Sequence, residues 1–265
     1  MKSVLFTNCT YVSIGGFKVR CLVKGEGKDL LLIHGLGGSI ESWRYNVDYL
    51  SSKGFRVVAP DLIGFGLSEK PRINYTLDLF VEQIRELIAS LNLKEVNLIG
   101  HSLGGLISLS LTLKHPEVIN KLIIEDSAGL ERKSREVIEE FMGDWWTKDK
   151  LRKFYEYIGH DPSRISDEIL ELRMKMYEKD EAKYAYKSTL NMPFNCEEFK
   201  RELEKIDKPT MIIWGAKDRL IPVKYAYEFN RLIKKSKLVV IQNAGHSPHA
   251  EAYETYNKLI DEFLR

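Results

Sequence analysis

The 265 residues, 44% of them hydrophobic, suffice for one large domain or one domain carrying an insertion, and they argue against two domains on a true linker. With 40 lysines and arginines against 38 aspartates and glutamates, the formal charge of +2 gives no field that would recruit nucleic acid or an acidic membrane surface, so small, roughly neutral ligands are expected. The scattered Cys9, Cys21 and Cys196 lack CxxC spacing, which excludes a disulfide framework or zinc knuckle, and the chain has neither an apolar start of signal-peptide length nor a run of about 20 apolar residues, so a cytoplasmic protein without a membrane span is expected.

Taken in chain order, residues 4 to 12 and 17 to 24 read as two strands joined by a hairpin turn at Gly15 and Gly16. Short continuous apolar runs then recur: LLLI at 30–33, FRVVA at 55–59, VNLI at 96–99, KLIIE at 121–125, TMIIW at 210–214 and KLVVI at 237–241. Strands apolar on both faces are what a parallel sheet covered by helices on both sides requires. Between them lie amphipathic segments, the clearest over 76–91, where Leu77, Val81, Ile84, Leu87, Ile88 and Leu91 share one face. From 128 to 204 no strand-like run occurs, only charged amphipathic helical stretches such as REVIEEFMGDWW. The pattern therefore predicts an α/β fold with a mainly parallel sheet, a hairpin at its first edge, and a helical insertion that packs over the sheet as a cap.

GHSLGG, at 100–105, joins the strand ending at Ile99 to an apolar helix over 103–114. A turn that sharp strains the residue at its apex, and Gly100 and Gly104 permit it because they lack a Cβ. Ser102 is thereby presented as a nucleophile beside the N–H groups of a helix start, which favour negative charge. A serine hydroxyl needs a base to take its proton and a group to orient that base. His246, in NAGHSPH, and Asp218, in WGAKDRLIP, follow successive predicted strands at the same sheet edge, and the order Ser102, Asp218, His246 is that of a triad built on such a sheet. Asp126, in LIIEDSAG, is the competing acid.

HGLGGS, at 34–39, supplies backbone donors for an oxyanion: the amide of Leu36 paired with that of Leu103, with Gly37 as the alternative to Leu36. Gly35, Gly37, His101 and Trp145 are candidates for contact with substrate. His34 and His101 are expected to hydrogen-bond locally, and His249 to be a solvated residue in the first turn of the last helix. No pair of residues has metal spacing such as HExxH, and neither a metal nor another cofactor is expected. Of the cap's many aromatic residues, some are expected to form its own core and others an apolar roof over the serine.

Together HGLGGS, DLIGFGLS at 61–68, GHSLGG, WGAKDRLIP and NAGHSPH resemble the α/β-hydrolase superfamily over nearly the whole chain. The resemblance implies an eight-stranded, mostly parallel sheet flanked by helices, a core of 1–127 and 205–265, a cap of 128–204 inserted after the sixth strand, and an acyl-enzyme on Ser102. Serine in place of the aspartate of haloalkane dehalogenases and epoxide hydrolases points away from both. HGLGGSIESW and DLIGFGLSEKP are similar to the carbon–carbon bond hydrolases of meta-cleavage products and to small-molecule carboxylesterases. The former often carry tryptophan after the GH of the catalytic histidine, where this chain has Ser247 and Pro248. The leading expectation is therefore a carboxylesterase acting on a small, largely apolar ester, without nucleic-acid or membrane partners and with a homodimer kept open. The alternatives are a carbon–carbon hydrolase of dienoate acids and a hydrolase-fold binding protein or receptor with little turnover.

Overall fold

The computed structural model describes residues 5–265. The first predicted strand begins at residue 4, outside the described residues, and the strand observed lies later than expected: β1 is Cys9–Ile14, paired antiparallel with β2, Phe17–Lys24. Gly15 and Gly16 join them with φ of 55° and 80°. Two consecutive positive φ angles give the hairpin turn whose twist matches that of the strands.

The other strands match the apolar runs: β3 (Lys28–Ile33), β4 (Phe55–Pro60), β5 (Val96–His101), β6 (Ile119–Glu125), β7 (Thr210–Gly215) and β8 (Ser236–Ile241). They form one eight-stranded sheet in the order β1-β2-β4-β3-β5-β6-β7-β8. Every pairing from β4 to β8 is parallel, whereas β2 meets β4 antiparallel. Because successive side chains leave a strand on opposite faces, the buried run Leu30 to Ile33 divides between two cores. Leu30 and Leu32 enter one, and Leu31 and Ile33 the other.

The first face is covered by α1 (Val47–Ser52) through Val47 and Leu50 and, at the far end of the chain, by Tyr256, Ile260 and Leu264 of the C-terminal helix. The second carries α2 (Leu77–Ser90) and α3 (Leu103–Lys114). Thr76 caps α2 by accepting the N–H of Leu79 at 3.1 Å, a start signal that fixes the helix within the predicted 76–91. α3 is buried almost all round, as its unbroken run of apolar and small residues requires.

Between β6 and β7 the described residues form five α-helices: α4 (Lys133–Met142), α5 (Lys148–Ile158), α6 (Asp167–Tyr177), α7 (Asp180–Leu190) and α8 (Cys196–Glu202). Thr147, Ser166 and Asn195 cap α5, α6 and α8 through their side chains. Trp146, Phe154, Leu170, Tyr177 and Tyr186 are buried in the same apolar cluster as Leu98, Ile124 and Ile212 of the sheet. This layer is thus continuous with the core beneath it. After β7 come α9 (Lys224–Leu232), the four-residue α10 (Pro248–Glu251) and α11 (Tyr253–Leu264).

The loops after β3 and β4 are tied to β2 by charge. Arg20 of β2 donates to Glu41 at 2.7 Å and to Asp61 at 3.2 Å, and all three side chains are at most 2% exposed. Asp61 also accepts the N–H of Ile40 at 2.8 Å and of Leu67 at 2.7 Å. Replacing Arg20 by methionine would leave two carboxylates buried without their counter-charge, and should cost about 3–5 kcal/mol of stability, read from the urea unfolding midpoint.

Candidate active site

Four loops at the carboxyl ends of the strands build the site. At the first, β5 turns into α3 through Ser102, whose φ of 54° is one of three positive values at non-glycine positions among the described residues. A Cβ on Gly100 would collide with the carbonyl of Gly104, and one on Gly104 with that of Ile33. Only glycine backbone lets the helix start so close to the strands, and that proximity forces the strained apex. The Ser102 N–H is held by the Glu125 carbonyl at 2.9 Å, and the Ser102 carbonyl takes N–H groups of Gly105, Leu106 and Ala128 at 2.9, 3.2 and 3.1 Å. With its backbone pinned on both sides, the half-buried Ser102 hydroxyl lines a cavity.

The loop after β7 carries Asp218 and the loop after β8 carries His246. Asp218 Oδ2 lies 2.8 Å from His246 Nδ1, while Oδ1 accepts the N–H groups of Leu220 and Ile221 at 2.7 and 3.0 Å. A carboxylate can only accept, so Nδ1 carries the proton and Nε2 is left as the acceptor. Burial pushes the His246 imidazole down, but the charge and hydrogen bond of Asp218, with Glu125 and Glu251 behind, leave it above its ordinary 6.5. Asp126, at the end of β6 with φ of 41°, is buried and donates no such support. Its Oδ1 accepts the Gly215 N–H at 3.1 Å, and burial together with the adjacent Asp218 charge pushes it well above the carboxylate range. Of the two carboxylates, Asp218 is the one hydrogen-bonded to the imidazole.

Behind His246 lies a second buried group. His101 Nε2 donates to the His246 carbonyl at 2.7 Å, and His249 Nδ1 sits 2.8 Å from Glu125, which also accepts the Tyr256 hydroxyl at 3.0 Å. His101 therefore bonds across 145 positions rather than locally. The expectation that His249 is solvated is overturned: it is 3% exposed, because Glu125 draws both its ring and its N–H inward. Ligand-type atoms of His101, Glu125 and His249, and of Asp126, Asp218 and His246, come within 4.8 Å of one another. In each set two of the residues already bond each other.

The loop after β3 folds over the serine. His34 Nε2 accepts the Leu62 N–H at 3.0 Å, so its Nδ1 proton goes to the Gly35 carbonyl at 2.8 Å, a local bond as expected. Burial holds this imidazole down to about 4, in its neutral form. Gly35, Leu36 and Ser102 all line the cavity, as does His101. Gly37 faces Tyr177 and Tyr186 instead, and with φ of 66° tolerates no side chain there. Its carbonyl accepts from Tyr177 at 2.9 Å and from Arg173.

The cavity encloses about 1170 Å³, counting its open mouth, and is roofed by Trp146, Phe154, Tyr155, Ile158 and Tyr186. Trp145 is not part of that lining; it packs against Tyr177 and Tyr186, and its neighbour Trp146 faces the cavity in its place. A smaller apolar recess of about 680 Å³, with Leu106, Met192 and Phe194, adjoins the main cavity and shares Leu36, Ser102, Ile138 and Leu220 with it. Tyr177, one of the cap aromatics, lines the cavity; Arg173, Glu125 and Glu251 carry no sequence signal, since each acts through a partner far along the chain. The arrangement suits acyl transfer: a rigid hydroxyl, an imidazole with its acceptor free, a paired carboxylate and backbone amides at one sheet edge.

The family model of the alpha/beta hydrolase fold matches residues 29–253. The chain is 32% identical to 2-hydroxy-6-oxo-6-(2'-aminophenyl)hexa-2,4-dienoic acid hydrolase of Metapseudomonas resinovorans, over 96% of this chain and 90% of that protein. It is 28% identical to 2-hydroxy-6-oxo-2,4-heptadienoate hydrolase of Pseudomonas putida, over 96% and 95%. A meta-cleavage product hydrolase structure from Pseudomonas fluorescens IP01 superposes with a TM-score of 0.86 over 96% of this chain and 97% of that one; at 24% identity it speaks for the fold alone.

Two measurements test the assignment of acid and base. Asp218→Asn should lower kcat by about 10⁴-fold, and Asp126→Asn by at least about 100-fold less. Because the base must be neutral and its imidazole lies above 6.5, kcat/KM should fall with decreasing pH along an acid limb whose midpoint is above 6.5.

Proposed function

The chain belongs to the α/β-hydrolase fold family, and from that premise we propose that it is a serine-dependent carbon–carbon bond hydrolase of 2-hydroxy-6-oxo-dienoate acids. Residues 128–204 serve as a cap over a core of 1–127 and 205–265. The relatives hydrolysing such acids support this reading over the carboxylesterase expected from the sequence. One structural observation carries it. In a cavity whose apolar and aromatic roof is joined by Arg44, Asp161 and Glu251 among its lining, Arg173 of α6 presents a buried guanidinium, and among the described residues no carboxylate lies within ion-pair distance of it. Its Nη atoms reach Gly37 and Ser42, and its Nε has no partner. An unneutralised buried cation is costly unless an anion completes it, and a substrate carboxylate does so with charge-assisted hydrogen bonds.

The keto form of such an acid is a vinylogous 1,5-diketone. Ser102 attacks the ketone carbonyl as His246 takes its proton, and the amides of Leu36 and Leu103 hold the oxyanion. Collapse breaks the carbon–carbon bond, the conjugated acid leaves with the electron pair, and the His246 proton goes to the departing carbon. Water, activated by the same imidazole, then frees the acyl group from Ser102. Asp218 keeps the imidazole oriented through both halves.

Ser247, at a position where such hydrolases often carry tryptophan, favours a second reading as an esterase, and the substrates discriminate the two. Wild type should consume a ring-fission dienoate with loss of its absorbance, and Ser102→Ala should lose that turnover by about 10⁴-fold or more. Arg173→Gln should raise the dienoate KM by about 10- to 100-fold, more than that of a neutral p-nitrophenyl ester. Rapid ester hydrolysis with the dienoate left intact would replace this proposal by the esterase reading.

A further inference from the structure

The backbone around His246 is held by few partners, and one side chain supplies several of them. Glu251 ends α10 and folds back, accepting the N–H of Ser247 at Oε1 (3.0 Å) and that of Gly245 at Oε2 (3.0 Å). These residues flank the base. The same Oε2 accepts the N–H of His160 at 2.6 Å, from the segment that follows α5 and lies 91 positions earlier. That segment also touches the base directly, since the His246 N–H donates to the Ile158 carbonyl at 2.9 Å. A Cβ on Gly245 would collide with the Ile158 carbonyl, so the two stretches run in backbone contact.

Helix capping accounts for the bond to Ser247, which heads α10. It does not account for a carboxylate shared with the far side of the cavity. We propose that Glu251 is a positioning residue for His246, its carboxylate joining the α5 end of the cap to the segment that bears the base. The inference rests on the assignment of His246 as base in the proposed function. Three charge-assisted bonds on one carboxylate fix two chain segments at once, so the imidazole keeps its place relative to the roof above it. Its negative charge also favours the imidazolium, beside those of Asp218 and Glu125. Asp218 faces the ring from the β7 loop, Asp126 and Glu125 from β6 and His101 from β5; His249 of α10 faces His101, and His160 and Asp161 follow α5 on the side that Glu251 joins.

The test compares full-length Glu251→Gln and Glu251→Asp with wild type, using one turned-over substrate, either the dienoate or a p-nitrophenyl ester. Glutamine keeps the shape but loses the charge and can accept with one oxygen only. It should lower kcat by about 10- to 100-fold, as expected for a slightly misplaced base, with a smaller change in KM. It should also move the acid limb of the pH profile to lower pH, because a negative charge that favours imidazolium is gone. Aspartate, which retains the charge, should keep the acid limb near its wild-type position even where kcat falls. A Glu251→Gln enzyme with wild-type kcat and an unmoved acid limb, whatever its melting temperature, overturns the inference. Wild-type activity without any acid limb, or turnover that survives His246→Ala, overturns instead the assignment of the base on which it rests.

Discussion

At the turn from β5 into α3 two stretches of backbone meet with no room for a side chain, and the rest of the site is arranged around that contact. Gly104 must pass the carbonyl of Ile33, which brings the loop after β3 over the start of α3. The same closeness leaves Ser102 in a left-handed conformation that costs of order 1–3 kcal/mol, tolerated because the surrounding sheet and helix determine it. One steric constraint thus sets three things together: the exposure of the hydroxyl, the direction of the Leu103 amide, and the approach of Leu36. None of the three can be adjusted without moving the others.

The remaining groups reach this point from separate parts of the chain and are held by polar contacts rather than by packing alone. His101 grips the His246 carbonyl from below, while Ile158 meets its N–H from above. Arg173 and Tyr177 hold the Gly37 carbonyl beside Leu36. The layer of helices between β6 and β7 therefore does more than roof the cavity. It takes part in holding both the loop after β3 and the loop that carries His246, and the apolar core that it shares with the sheet keeps it in register.

Much of this was legible in the sequence, for identifiable reasons. Strands buried on both faces announce themselves as unbroken apolar runs, and the elbow is a local pattern in which Gly100, Ser102 and Gly104 each have a steric role. The pairing of Asp218 with His246 follows from topology, which places successive strand ends at one edge. What escaped was set by contacts distant in sequence. His249 looked like a solvated helix residue, and its burial follows from Glu125, 124 positions away. Trp145 and Trp146 are adjacent on one short turn, and which of them faces the cavity depends on a rotation that no periodicity in the cap fixes. Arg173 sat in a charged amphipathic stretch, where a cation usually faces water; only its approach to Gly37 distinguishes it. β1 starts later than its composition suggests because β-branched and aromatic enrichment extends beyond the residues that find a partner on β2.

The buried group of Arg20, Glu41 and Asp61 has a consequence for how such a sequence drifts. Loss of Arg20 strands two carboxylates in a dry interior, and loss of either carboxylate leaves buried donors such as the Ile40 amide or the Ser39 hydroxyl without their acceptor, whereas exchange of all three for well-packed apolar residues can be nearly neutral. The three positions lie on β2, on the loop after β3 and on the loop after β4, so a single mutation has no gentle path away from the group. They behave as one heritable unit with a fitness valley around it, and the loop after β3 that lines the cavity is carried inside that unit.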